Sequence, residues 1–187
     1  MIENILEKYD INIDHALQVK SYAMMIFDAI NTITNEFSES DRNYLKSAAL
    51  LHDIGYSIDK KSHHKHSLSV IKNLDTEEYS TYEKLIIGNI ARYHRCALPN
   101  PEKHEDFAAL NESDRIKVSK LAAMLKIADG LDKPHKNLIT GISAEFDDLS
   151  IVFHLKTMGF VPKVEMAVEK SDLMQQIYNR DVKFSCE

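Results

Sequence analysis

Between Ala48 and Gly55 the chain reads Ala-Ala-Leu-Leu-His-Asp-Ile-Gly, an apolar run that passes straight into an imidazole and a carboxylate. Such a run is the buried part of a helix, and Gly55 is placed to end it, since glycine tolerates positive φ. His52 and Asp53 therefore fall near the C-terminal end of a buried helix. An unpaired carboxylate is costly to bury, so Asp53 needs a partner. A metal ion is one candidate, because adjacent imidazole and carboxylate groups suit zinc, iron, manganese and similar ions. A helix-end cap, or an Arg or Lys, is the other. The doublet alone does not separate these readings.

Periodicity along the chain extends the pattern. Asn12 or Asp14 can cap a helix with an apolar stripe through Ala16, Val19, Ala23, Ile26, Phe27, Ile30 and Ile33, and His15 lies in its first turn. Ser38 and Asp41 resemble a capping box that opens the helix running to His52-Asp53. A polar loop then holds His63 and His64, and the next helix is expected to begin at His66-Ser67, which ranks His66 above the two loop histidines. Residues 76–95 read as a helix with Tyr82, Leu85, Ile86, Ile90 and Tyr93 turned inward and His94 near its end. A Pro-containing loop follows. Asn111 or Ser113 caps a further helix, whose stripe of Val118, Leu121, Ala122, Leu125 and Ala128 brings Asp129 to the buried edge. A carboxylate there, without a cation, would again be costly.

From Thr140 the character changes. Two loosely alternating segments around Asp147-Asp148 suggest a hairpin. A helix over 164–178 and a last strand near 181–185 complete the reading. The expected fold is mainly α: a helical bundle over 1–139 carrying a small α+β extension, 140–187, packed on it.

Composition limits the function classes. A net charge of −6 without a long basic block argues against nucleic acid as the partner. No stretch is long and apolar enough to span a membrane, and Met1–Asp10 lacks the apolar core of a signal peptide. With only Cys96 and Cys186, no disulfide framework is expected. A cytoplasmic location is the simplest reading.

The ordered set His15, His52-Asp53, His66, His94, Asp129 resembles the HD superfamily of metal-dependent phosphohydrolases. Three segments are similar to the C-terminal HD domain of the exopolyphosphatase/guanosine pentaphosphate phosphatase family. They are Leu50–Gly55 with His63–Ser67, Ala91–Arg95, and Ile127–Asp132. The resemblance covers roughly Asp14 to the C-terminus. It implies a helical core whose metal ligands are His15, His52, Asp53 and Asp129, with His66 and His94 as the extra histidines of two-metal members, where the doublet Asp bridges the ions. The implied cofactor is one or two divalent transition metals (Mn, Fe, Co, Ni or Zn). In that family an actin-like ATPase-fold region precedes the domain and carries the polyphosphate chemistry. This sequence begins at the HD-like part, so exopolyphosphatase activity is not carried over.

The reading that follows is a phosphohydrolase acting on a small phosphorylated molecule such as a nucleotide, with Asp53 and His94 in catalytic roles. Lys65, Arg92, Arg95, Lys133 and His135 lie beside the motifs, and Lys65 and Arg95 are preferred as phosphate contacts. Two other readings stand beside it: a non-catalytic, metal-stabilised nucleotide-binding module, and an interaction domain whose extension mediates a homodimer.

Overall fold

The computed structural model describes Ile5, Tyr9 and residues 11–132, 139–159 and 161–186. The expected leading helix over Met1–Asp10 lies largely outside them, as do Lys133 and His135. The fold is mainly α with a small α+β region at the C-terminal end. The helices are α1 (Ile13–Thr34), α2 (Glu39–Leu51), α3 (His63–Lys72), α4 (Thr81–Arg92), the short α5 (Glu105–Ala108) and α6 (Glu112–Leu131). Then come β1 (Ile139–Phe146), β2 (Ser150–Thr157), α7 (Glu165–Glu169), α8 (Asp172–Tyr178) and β3 (Asp181–Cys186).

The starts of the helices are written in local chemistry. The Asn12 side chain accepts from the His15 N–H to begin α1, and the Asn111 side chain accepts from the Asp114 N–H to begin α6. Ser38 with Asp41, and Ser80 with Glu83, form reciprocal capping boxes at α2 and α4. The stripe on α1 is buried as its period requires from Ala16 to Ile30. Ile33 and Tyr82, expected inside, are 45% and 41% exposed. Both lie in terminal turns, where a helix projects beyond its neighbours, and the Tyr82 hydroxyl donates to Asp114 instead.

Helix α6 is more than one-sided. Every residue from Leu121 to Leu131 is buried, Lys126 included. Helices α1, α2 and α4 pack on it, and α7 and α8 cover its remaining side. A helix surrounded in this way loses its polar face. Lys126 keeps its charge satisfied by reaching the Asp172 carboxylate at the start of α8, 2.5 Å away.

The three strands form one sheet in the order β1-β2-β3. The β1–β2 hairpin turns on Asp147, whose Oδ1 accepts from the N–H groups of Leu149 and Ser150. Its antiparallel register sets Ala144 opposite Phe153 and Ile142 opposite Leu155. Strand β3 returns parallel to β2 by way of α7 and α8, pairing Ile151 with Val182. Ile151, Phe153 and Leu155 face the core. The single helix expected over 164–178 is broken at Lys170-Ser171, where the buried Ser171 hydroxyl donates back to the Val168 carbonyl and ends α7.

Gly55 has a different role from the one its sequence position suggests. Among the described glycines only Gly159 has positive φ. Gly55 is instead a point of close approach: a Cβ there would lie 2.4 Å from the His63 carbonyl oxygen and 2.5 Å from the Ser67 nitrogen. The Ser67 hydroxyl ties the contact together, accepting from the Gly55 N–H and donating to the His52 carbonyl. The turn after α2 is thereby clamped to the first turns of α3.

Candidate metal centre

The ends of five helices meet at one place. His52 directly follows α2, His63 begins α3, His94 follows α4, His15 lies in the first turn of α1, and Asp129 lies in the last turn of α6. Asp132, just past α6, joins them.

Three of the imidazoles share one local device. Nδ1 of His52, His63 and His94 sits 2.7, 2.9 and 2.7 Å from the carbonyl oxygen three residues earlier, on Ala49, Lys60 and Ala91. A carbonyl can only accept, so each Nδ1 carries the proton. His15 donates its Nδ1–H to Asp132 Oδ2 at 2.7 Å. All four Nε2 atoms are thus left for the cluster, with their rings held by outer partners, the arrangement that orients histidine ligands of metals.

Asp53 stands between them and divides its two oxygens. Oδ1 lies 3.0 Å from His63 Nε2 and 3.7 Å from His94 Nε2. Oδ2 lies 3.5 Å from His52 Nε2 and 3.9 Å from His15 Nε2. Asp129 Oδ1 is 3.3 Å from His15 Nε2. Two triads suited to hold an ion, His15-His52-Asp53 and Asp53-His63-His94, share Asp53, and the ligand atoms of each fall within 4.8 Å of one another.

Two observations test whether a cation fits. Nε2 of the fully buried His52 has no hydrogen-bond partner. Nε2 of His63 faces Nε2 of His94 at 3.1 Å, and with both Nδ1 protons committed to carbonyls this approach needs a further proton or a cation; a proton on His63 Nε2 also meets Asp53 Oδ1 at 3.0 Å. The unpartnered buried nitrogen and the close pair are each costly unless a proton or a metal ion satisfies them. The donor set fits the ion that the sequence implies.

Without an ion, protons and a lysine balance the three carboxylates. Burial alone would depress His15, but its bonds to Asp129 and Asp132 raise it to about 9. Burial opposes ionisation of Asp53 as well, yet His52 and the hydrogen bond from His63 hold its carboxyl far below the usual range. Asp129 is held low, against its burial, by His15 and Lys170. Burial, with His52 beside it, keeps His94 neutral.

The cluster floors a cavity of about 1310 Å³. Lys60, Lys61, Arg95 and Lys170 bring positive charge to its walls. Lys170 caps α7 and forms an ion pair with Asp129 Oδ2. It gets there because Gly130 lets α7 lie close: a Cβ on that glycine would meet the Ala167 Cα at 2.7 Å.

The structure brings together His15, His52, Asp53, His94 and Asp129, all singled out in the sequence. It does not bring His66, which is partly exposed and absent from the cavity lining; His63 takes that place. The reason is a helix boundary: α3 begins at His63, three residues earlier than expected, so the loop histidine becomes the inward one. Arg95 lines the cavity, whereas Lys65 lies on a separate, smaller one. Asp132 and Lys170 were missed. Asp132 follows Asp129 at the i, i+3 spacing of one helix face, a usable signal; nothing local marks Lys170.

Among the described residues no helix is long and apolar enough to cross a membrane. The chain is 25% identical to a guanosine-5'-triphosphate,3'-diphosphate pyrophosphatase of Vibrio campbellii over 169 residues, 90% of this chain and 33% of that protein. It is 26% identical to the enzyme of that name from Vibrio vulnificus, over 80% of this chain and 30% of the relative. A third, from Pseudoalteromonas translucida, is 28% identical over 52% of this chain and 20% of its own length. The chain thus spans about a third of the length of the first of these relatives. The family described as Ppx/GppA phosphatase, domain III, matches residues 1–159. With most of its length inside that match, the chain belongs to the Ppx/GppA phosphatase domain III family.

Proposed function

We propose that the cluster is an HD-type metal centre that hydrolyses a phosphate ester or anhydride of a small phosphorylated molecule, a nucleotide first among the candidates. The observation that carries this reading is the division of Asp53 between two sets of imidazoles, which suits a carboxylate shared by two ions. His15, His52, Asp53 and Asp129 would hold one ion, and Asp53, His63 and His94 a second. Bound there, a divalent transition metal supplies hydroxide at neutral pH and polarises a phosphoryl oxygen.

The chain's own residues do the rest. Asp53 and His94 face the place where a reacting phosphoryl group would sit, and the catalytic roles fall to them. Asp132 holds His15 in the tautomer that presents Nε2. Arg95, Lys60 and Lys170 offer charge to the remaining phosphate oxygens across the cavity. The names of the relatives point to guanosine nucleotides bearing phosphoanhydrides as the substrate class.

The test has two parts. Protein purified without chelator, or exposed to manganese, iron, cobalt, nickel or zinc, is expected to bind at least one equivalent by elemental analysis. Asp53→Ala and His63→Ala should lose metal, and His66→Ala should keep it. The loaded protein is then screened against nucleotides, guanosine tetra- and pentaphosphate, cyclic nucleotides and long polyphosphate. Phosphate release from a small nucleotide, abolished by Asp129→Ala, is the expected result. Absence of metal uptake, or preference for the long polymer, would refute the reading. Tight nucleotide binding without turnover would move it to a non-catalytic sensor.

A further inference from the structure

A second cavity, of about 260 Å³, lies where the first turn of α3, the end of α4 and the loop before α5 meet. His64, Lys65, Arg92, Tyr93, Lys103 and His104 supply its polar lining, and no carboxylate lines it. Glu102 and Glu105 flank Lys103-His104 in sequence but are not among the lining residues, and Asp106 is engaged by Lys72. None of Lys65, Arg92 and Lys103 pairs with a carboxylate among the described residues. In a chain of net charge −6, three cations and two imidazoles with no carboxylate in the lining make this a locally positive site.

Two imidazoles line it. His64 is 94% buried, and its Nδ1 has no hydrogen-bond partner. His104 Nδ1 accepts from the Asn100 N–H, with the Tyr93 hydroxyl 2.8 Å away. Its proton is therefore on Nε2, ready to donate. His63 and His64, consecutive on α3, serve different cavities: His63 lines the large one and His64 the small one.

We propose that this small cavity is a second oxyanion site that takes inorganic phosphate. Its volume is below the roughly 300–1,000 Å³ of pockets that enclose drug-sized ligands, which favours a single tetrahedral anion over a whole nucleotide. Lysine and arginine donors with no acid among them match a dianion, and charge-assisted hydrogen bonds from them are the strong ones. The site does not depend on the metal centre, and the proposal stands or falls separately from the proposed hydrolysis.

The experiment titrates inorganic phosphate into metal-free protein labelled at histidine and follows the imidazole resonances of His64 and His104. Saturable shifts of both are expected in the millimolar range. Arg92→Gln and Lys103→Gln should each weaken binding by about tenfold or more, the effect of losing one charge-assisted bond. Lys60→Gln, on the wall of the large cavity, should change it by less than about twofold. Arg92 also stacks on the Tyr93 ring, so the exposed Lys103 keeps the test clean if the Arg92 variant misfolds. No saturable shift of these two histidines up to tens of millimolar phosphate would overturn the proposal. So would shifts that Lys103→Gln leaves unchanged or that Lys60→Gln abolishes.

Discussion

Replacing Gly55 by alanine adds one methyl group at the joint between the His52-Asp53 turn and α3. That Cβ would meet the His63 carbonyl oxygen at 2.4 Å, the Ser67 nitrogen at 2.5 Å and the His66 Cβ at 2.6 Å. All three are backbone or Cβ atoms, so no side-chain rotation relieves the clash, and α3 must move by about 1 Å. Overpacking of this kind costs about 1–3 kcal/mol, and a rigid obstacle places Gly55→Ala in the upper half of that range. For a chain of this size the melting temperature should fall by roughly 4–12 °C. The displaced helix carries His63, whose Nε2 now lies 3.0 Å from Asp53. Cobalt binding, followed by its visible absorption, should weaken roughly 10–100-fold, as when a ligand loses its support. Gly88→Ala is the control. Its Cβ would meet the Leu68 Cδ1, a side-chain end, at 2.7 Å, and the nearest backbone atom, the Leu68 carbonyl oxygen, only at 3.3 Å. Alanine also gains about 0.8–1.0 kcal/mol of helix propensity there. Gly88→Ala should stay within about 1 kcal/mol of the parent. A Gly55→Ala protein melting within about 2 °C of the parent would refute the clamp, since the expected cost lowers the melting temperature by at least about 4 °C.

Two further outcomes follow from the geometry. Asp132→Asn should weaken metal binding by roughly 10–100-fold while the far-ultraviolet circular dichroism is retained, because Asp132 holds His15 from outside the cluster; unchanged affinity by competition titration would contradict that role. Lys170→Met should tighten metal binding by roughly three- to tenfold, because the ammonium paired with Asp129 competes with an ion for that carboxylate, and weaker binding in a metal titration would show that Lys170 does not act as a competitor.

The helix start signals and the 3.6-residue stripes are local, and they could be read because each depends on residues within one or two turns: Asn12, Ser38 with Asp41, and Asn111 cap as expected. The burial of Asp129 was legible for the same reason, as were the hairpin around Asp147 and the place of His15, His52, Asp53 and His94 at helix ends. What only the folded chain decided was set by contacts between distant segments. The first turn of α3 is fixed by the clamp between Gly55 and Ser67, not by any capping side chain, and that clamp turned His63 inward in place of His66. Gly55 is required by close approach and not by positive φ, and a sequence does not separate the two because either leaves the same glycine. Helix α6 carries a one-sided stripe on paper, but α7 and α8 close over its other side, so Lys126 is buried and finds Asp172. Lys170 enters the cavity through the same docking, forty-one positions from Asp129. Periodicity specifies which face of a helix turns inward; which partner meets that face depends on packing across the whole chain.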